Sequence, residues 1–80
     1  MHPELTVAET FPRVYRRVLD AVARLEQLGG RQDAASFRSA AIRVYSSSWD
    51  VASQRRLEDV LARTEAAARD RERRERPRVA

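Results

Sequence analysis

The stretch FPRVYRRVLDAVARLEQL, residues 11–28, decides the fold that we expect for this chain. Its apolar residues recur at alternating spacings of three and four, which aligns side chains along one face of an α-helix. That face comprises Phe11, Val14, Val18, Ala21, Leu25 and Leu28, with Tyr15 and Val22 beside them. Arginines, Asp20 and Gln27 occupy the opposite face. The stretch is therefore predicted to form a half-buried helix that needs a partner surface.

Two later stretches are predicted to supply that surface. A second helix is expected over residues 34–46, and only a narrow strip of serine and arginine interrupts its apolar face. The members of that face are Ala34, Ala35, Phe37, Ala40, Ala41, Ile42, Val44 and Tyr45. Because one neighbouring helix cannot cover so wide a face, this helix is either central in a bundle or half of an interface. A third helix is expected over residues 49–72, with its apolar seam richest at residues 57–61.

Capping and turn residues set the expected ends of these helices. Thr10 is predicted to cap the first helix, since Pro12 suits a first turn better than an interior position. Glycines 29 and 30 are predicted to end it, because glycine readily adopts left-handed backbone. Asp33 is the predicted cap of the second helix. Either Ser47, with Asp50 three residues later, or Ser48 alone is predicted to cap the third.

The predicted fold is all-α, a three-helix up-down-up bundle, because short connections make consecutive helices antiparallel neighbours. Residues 69–76 hold no apolar side chain, so the charged C-terminal end of the third helix should project beyond the body. We expect an N-terminal arm over residues 1–10, a helical bundle domain over residues 11–70 and a charged, Arg-rich tail over residues 71–80.

Length and composition limit the class of protein. An 80-residue chain forms one domain and buries only about 60% of the surface that its unfolded form exposes, so self-association is a common source of added stability. The chain has no cysteine, which excludes disulfides and thiolate metal sites. No apolar run approaches the roughly 20 residues of a membrane span, and residues 1–10 lack the features of a signal peptide. We expect a cytoplasmic protein with no membrane partner.

Catalytic patterns are weak throughout the sequence. The only histidine is His2, in a segment that is not expected to hold it in place. The serines at positions 46–48 have no nearby histidine or lysine base, so capping is their expected role. The glycine pair has no phosphate-loop spacing, and most of the helical carboxylates have arginines three or four positions away, which is typical of surface ion pairs. We therefore expect no enzyme, no cofactor, no metal and no small-molecule substrate.

Basic charge allows one alternative function. All sixteen basic residues are arginine, against twelve acidic residues, and six of the arginines fall in residues 69–80. With the glycine turn between the first two helices, this allows a small DNA-associated regulator with a helix-turn-helix-like pair. Its candidate contacts are Arg38, Arg43, Arg69, Arg73, Arg74 and Arg76. Because residues 1–68 carry almost no net charge, nucleic acid is not the favoured partner.

The preferred function is a non-enzymatic protein–protein interaction module or small adaptor. The wide apolar face of the second helix and two aromatic residues one turn apart indicate the candidate interface. Its residues are Ala35, Ile42, Tyr45 and Trp49. The aromatic pair has the alternative role of completing the core, which needs large side chains first. The expected partner is a second copy of the chain or another helical protein.

Overall fold

The structure is a computed structural model that describes residues 6–75, and it confirms the predicted all-α fold. Three helices make up this part of the chain: α1 (Val7–Gln27), α2 (Arg31–Tyr45) and α3 (Val51–Glu75). Each helix packs against the other two. None of the helices in residues 6–75 combines the length and the apolar composition that a membrane span requires.

Contacts between α1 and α3 show that these two helices run in the same direction. Near their first residues, the Thr10 hydroxyl donates to Gln54 Oε1 at 2.6 Å. Near their last residues, Arg24 forms an ion pair with Glu72. The N-terminal ends of α1 and α3 therefore lie side by side, and so do their C-terminal ends, as an up-down-up order requires.

Contacts between α1 and α2 have the opposite order. The Arg38 guanidinium lies 3.0 Å from Glu26 Oε1, so the middle of α2 meets the end of α1. At the other end, the ring centroids of Phe11 and Tyr45 are 5.3 Å apart, so the end of α2 meets the beginning of α1. The two helices are antiparallel neighbours.

The core lies between the three helices and follows the spacing of residues 11–28. The apolar residues buried in it are Phe11, Val14, Val18, Ala21, Val22, Leu25, Ala34, Ala41, Leu57, Leu61 and Ala68. The predicted stripe of α1 is thus confirmed as its buried face. From α2, only Ala34 and Ala41 are buried, and Phe37, Val44 and Tyr45 pack against the core while half-buried. A face wider than its neighbours can cover therefore does remain partly in contact with solvent.

The first helix begins one turn earlier than predicted. It starts at Val7 with Thr6 in the capping position, so the prediction of Thr10 as the cap is wrong. Pro12 lies inside the helix, where its missing N–H leaves the carbonyl of Ala8 without its helical donor. Ala8 is exposed, so water can reach that carbonyl and the cost of the proline is small. Thr10 instead uses its hydroxyl to tie α1 to α3.

The turn between α1 and α2 confirms the predicted role of the two glycines. Gly29 has a φ of 89°, and its N–H donates to the Glu26 carbonyl. The N–H of Gly30 donates to the Leu25 carbonyl at 2.9 Å, which completes a Schellman closure of α1. The second helix then begins at once at Arg31, so Asp33 lies in its first turn and the prediction that Asp33 is its cap is wrong.

The turn between α2 and α3 is closed by side chains. The carboxylate of Asp50 accepts the N–H of Ser53 at 2.8 Å and the hydroxyl of Ser48 at 3.0 Å. Asp50 therefore caps α3, so the prediction of Ser47 or Ser48 as its cap is wrong. Ser48 holds the capping carboxylate instead. Ser47 donates its hydroxyl to the Val44 carbonyl at 2.7 Å, which closes α2.

The capping carboxylate makes a pH-dependent contribution to stability. Hydrogen bonds from the N–H and hydroxyl of Ser53, a hydrogen bond from Ser48 and the charge of Arg56 lower the pKa of Asp50 in the folded chain. A lowered folded pKa means that the stabilisation is complete above the unfolded value of about 3.9 and is lost as the pH falls through the folded value. We expect Asp50→Asn, which keeps a cap acceptor but cannot titrate, to flatten this acid loss in urea unfolding measured at stepwise lower pH. Parallel acid profiles for the parent and the variant would contradict the assignment.

The last helix continues through residue 75 without a break. The guanidinium of Arg71, half-buried, donates to the Leu28 carbonyl at 3.5 Å, so α3 still contacts the end of α1 at this level. Only the final residues beyond Glu72 extend past that contact. The helix thus crosses the predicted division at residue 70, and α1 likewise crosses the one at residue 10. The division into arm, bundle domain and tail stays a prediction, and residues 1–5 and 76–80 lie outside the described part.

Candidate functional site

The four candidate interface residues follow one side of α2 into the turn that ends it. Ala35 and Ile42 are seven residues apart and both exposed, so they share a face two turns apart. Tyr45 follows three residues later and is half-buried. Trp49, in the turn, leaves 44% of its surface exposed, and Ile42 leaves 45%. We call these four residues the α2 surface.

Two members of the α2 surface also belong to an aromatic cluster. The indole of Trp49 packs edge-on against Phe11, with ring centroids 5.2 Å apart, and its N–H donates to the Tyr45 carbonyl at 2.7 Å. The ring of Tyr45 stacks on that of Tyr15 at 4.0 Å. Both rings therefore contribute to packing within the bundle, and their role in an interface stays a prediction.

Two features of this region were not identified from the sequence. Tyr15, on α1, joins the cluster by stacking its ring on that of Tyr45. Val51, the first residue of α3, is 58% exposed and is the most exposed large apolar side chain in the described residues. The stripe of α3 gave no signal for it, since position 51 falls outside the seam. Its position at a helix start, next to a capping residue, was the only available indication.

The arginines proposed for nucleic-acid contact lie on α2 and α3, and several of them form ion pairs. Arg38 pairs with Glu26 of α1, and Arg73 and Arg74 both pair with Asp70, at 3.5 and 3.1 Å. Two others, Arg43 on α2 and Arg69 on α3, make no ion pair within the described residues. Arg76, the sixth, lies outside these residues. Half of the set is thus paired with neighbouring carboxylates, with Arg73 and Arg74 sharing one.

A groove lies between α1 and α3, and sequence reasoning missed it. Its volume is about 390 Å³. The residues that line it are Arg17, Asp20, Ala21, Arg24, Glu65, Ala68 and Arg69. Charged side chains form the two sides and alanines form the floor. The seven-residue spacing of Arg17 and Arg24 was a signal in the sequence, but a groove also needs the register of the opposite helix.

Polar groups inside the bundle are satisfied locally. Thr64 is fully buried and donates its hydroxyl to the Val60 carbonyl at 2.7 Å. In residues 6–75, no buried side-chain nitrogen or oxygen lacks a hydrogen-bond partner. Nor does this segment bring together three acidic or histidine side chains in an arrangement that could hold a metal ion. His2 lies outside the described residues.

The surfaces with unusual features are therefore two, the α2 surface and the groove between α1 and α3. The first is apolar and the second is charged with a small apolar floor. No protein-family model, curated protein or solved structure matches this chain, so functional inference rests on these two surfaces.

Proposed function

We propose that this protein is a non-enzymatic protein–protein interaction module that self-associates through the α2 surface. The observation that supports the proposal is the exposure of Ile42 and Trp49, whose side chains remain nearly half exposed although the chain has few large apolar residues for its core. Exposed apolar side chains grouped on one element are typical of protein contact surfaces, and Trp and Tyr are frequent anchors in them.

The exposed area supports a weak complex. Fully burying one large apolar side chain is worth about 1.5–3 kcal/mol, and these two side chains are already half-buried. Association itself costs about 4–15 kcal/mol, which offsets most of the gain from a contact of this size. A twofold arrangement doubles the contribution of each residue, because the same surface is used on both copies. We therefore expect a reversible complex with micromolar or weaker affinity.

Substitution of Ile42 tests the proposal. Ile42→Glu places a charge in the contact without disturbing the core, and we expect it to weaken self-association by roughly tenfold or more. Sedimentation velocity over a range of concentrations measures this, with circular dichroism to verify that the helices are retained. Ser36→Glu is the matched control, since Ser36 is exposed on another side of the same helix. A wild-type chain that stays monomeric at millimolar concentration, or equal behaviour of the two variants, would exclude this use of the α2 surface.

Three expectations stay predictions. They are another helical protein as the partner, binding to nucleic acid, and location in the cytoplasm. The nucleic-acid alternative has no supporting arrangement, because Arg38, Arg73 and Arg74 are paired with carboxylates. Gel-shift titration on random duplex DNA at two salt concentrations tests it. Binding that weakens steeply with salt would favour the alternative, whereas unchanged mobility at low salt would exclude it.

A further inference from the structure

The two sides of the groove between α1 and α3 carry charges in opposite order. Along α1 the order is positive, negative, positive, and along α3 it is negative, positive, negative. The α1 rim consists of Arg17, Asp20 and Arg24. On α3, Glu65 and Arg69 line the groove, and Glu72, which pairs with Arg24, continues the row one turn further on. Two ion pairs show the register between the helices: Arg17 lies 3.7 Å from Glu65, and Arg24 pairs with Glu72. Each charge on one rim therefore lies at the level of an opposite charge on the other.

One of these three levels is not paired inside the chain. Asp20 and Arg69 both line the groove and both are exposed, yet neither makes an ion pair within residues 6–75. They lie one turn beyond Arg17 and Glu65, whose pairing is itself long at 3.7 Å. The rims thus hold charges that the monomer leaves available to an outside partner.

The floor of the groove allows that partner to come close. Ala21 and Ala68 face each other across it and are nearly buried, with 9% and 4% of their surfaces exposed. Small side chains at a helix contact permit short distances between helix axes. With so low a floor between them, both rims stand clear for the two rims of a second copy.

We propose that a second copy of this chain docks on this face with its own groove turned toward the first, related by a twofold axis parallel to the helices. This axis places α1 of one copy on α3 of the other at the same level. Asp20 of each copy then faces the partner's Arg69, which gives two such contacts in the dimer. Each remaining rim charge likewise faces an opposite charge of the other copy. A twofold axis perpendicular to the helices would instead place α1 on α1 of the other copy and α3 on α3. Like charges would then face each other. The order of charges thus selects one arrangement of the dimer.

Mixed signs also distinguish this occupant from others. A nucleic acid or a uniformly acidic segment would meet a carboxylate at Asp20, Glu65 or Glu72 along either rim. A uniformly basic segment would meet guanidinium groups in the same way. Only a partner with the same alternation fits, and this chain carries it. The inference relies on the proposed function in taking a second copy as the partner, but the surface is separate from the α2 surface.

Charge reversal gives a test with an internal rescue. In an Ile42→Glu background, which removes the apolar contact, Asp20→Arg and Arg69→Asp should each weaken the dimer roughly tenfold, since each turns two attractions into two repulsions. An equimolar mixture of the two variants should recover it, because both Asp20–Arg69 contacts are again between opposite charges in the heterodimer. Sedimentation velocity and a mass-tagged heterodimer measure the recovery. Arg43→Asp is the matched control, since Arg43 is exposed on α2 and outside the groove.

Salt provides a second readout that an apolar contact would not show. Exposed charge pairs are screened, so the groove dimer should dissociate as salt rises, whereas contacts of the α2 surface should persist. An Ile42→Glu chain that is folded but monomeric at low salt overturns the groove dimer and leaves the proposed function intact. If Ile42→Glu leaves the dimer affinity unchanged, while charge reversal weakens the dimer and mixing restores it, the groove dimer is supported and the proposed use of the α2 surface is overturned. Failure of the mixture to associate when each parent dimer has been lost also overturns the inference.

Discussion

Replacing Phe11 with alanine is expected to lower the free energy of unfolding by about 3–5 kcal/mol, the range for removal of a buried aromatic ring. The ring is fully buried and makes edge contacts with both Tyr45 and Trp49, so it joins α1 to the end of α2 and to the turn before α3. No other described residue contacts both rings edge-on. A domain of this size has a total stability of only about 5–15 kcal/mol, so the variant should lose a large share of it.

Urea unfolding followed by circular dichroism and by the fluorescence of Trp49 measures this loss. The chain has a single tryptophan, and its ring lies 5.2 Å from Phe11, so the emission reports on this contact directly. Phe11→Leu is the control, because leucine keeps most of the apolar volume and removes only the aromatic edge contacts. We expect its loss to be clearly smaller. A loss below about 1 kcal/mol for Phe11→Ala would show that the aromatic cluster can close over the gap.

The prominence of Phe11 could be predicted from the sequence, and so could most of the fold. Residues 11–28 repeat the three-and-four spacing without interruption over five turns, and long periodic patterns are the most reliable local signal. The two glycines supply the only strong stop in this part of the chain, and Gly29 does adopt the left-handed conformation. With the direction of α1 and its end both fixed, short connections lead to the up-down-up order of three helices.

The helix starts were predicted less well, for a physical reason. Thr6, Thr10, Asp33, Ser48 and Asp50 are all acceptable caps by residue type, so local preference alone does not rank them. Contacts between distant residues decide instead. Thr10 is used by Gln54, which lies 44 positions away, and this frees the helix to begin earlier. At α2, the residue that closes α1, Gly30, also occupies the capping position of the next helix, and glycine has no side chain to act as a cap.

In the candidate site, too, some features follow from one stretch of sequence and others depend on contacts between helices. Exposure of Ala35 and Ile42 follows from the excess width of the apolar face of α2, which the sequence shows directly. The stacking of Tyr45 on Tyr15 and the groove between α1 and α3 depend on which turn of one helix meets which turn of another. Such a register is set by packing of the whole core, so no single stretch of sequence contains it. The charged rims are the clearest example, since their alternation has meaning only after α1 and α3 are placed side by side.

Gly30→Ala is expected to lower the free energy of unfolding by about 1–3 kcal/mol through overpacking. A Cβ atom at this position would lie 2.7 Å from Leu25 Cδ1, 3.0 Å from Leu25 Cγ and 3.1 Å from the Nε of Arg71. The arginine can move aside, but Leu25 is fully buried and has no free space into which to turn. The backbone itself is no obstacle, because the φ of Gly30 is −86°, within the range of ordinary residues.

A double-mutant cycle with Leu25→Ala identifies the cause of that loss. If the new methyl group collides with Leu25, then Gly30→Ala should cost about 1 kcal/mol less once the leucine is shortened, since contacting residues are not additive. Gly29→Ala is the contrasting variant. Gly29 has a left-handed φ of 89°, so its alanine variant should lose about 1 kcal/mol from backbone strain, and that loss should be the same whether or not Leu25 is present. Strict additivity of Gly30→Ala with Leu25→Ala would mean that the turn moves as a unit and that close packing against Leu25 does not require glycine at this position.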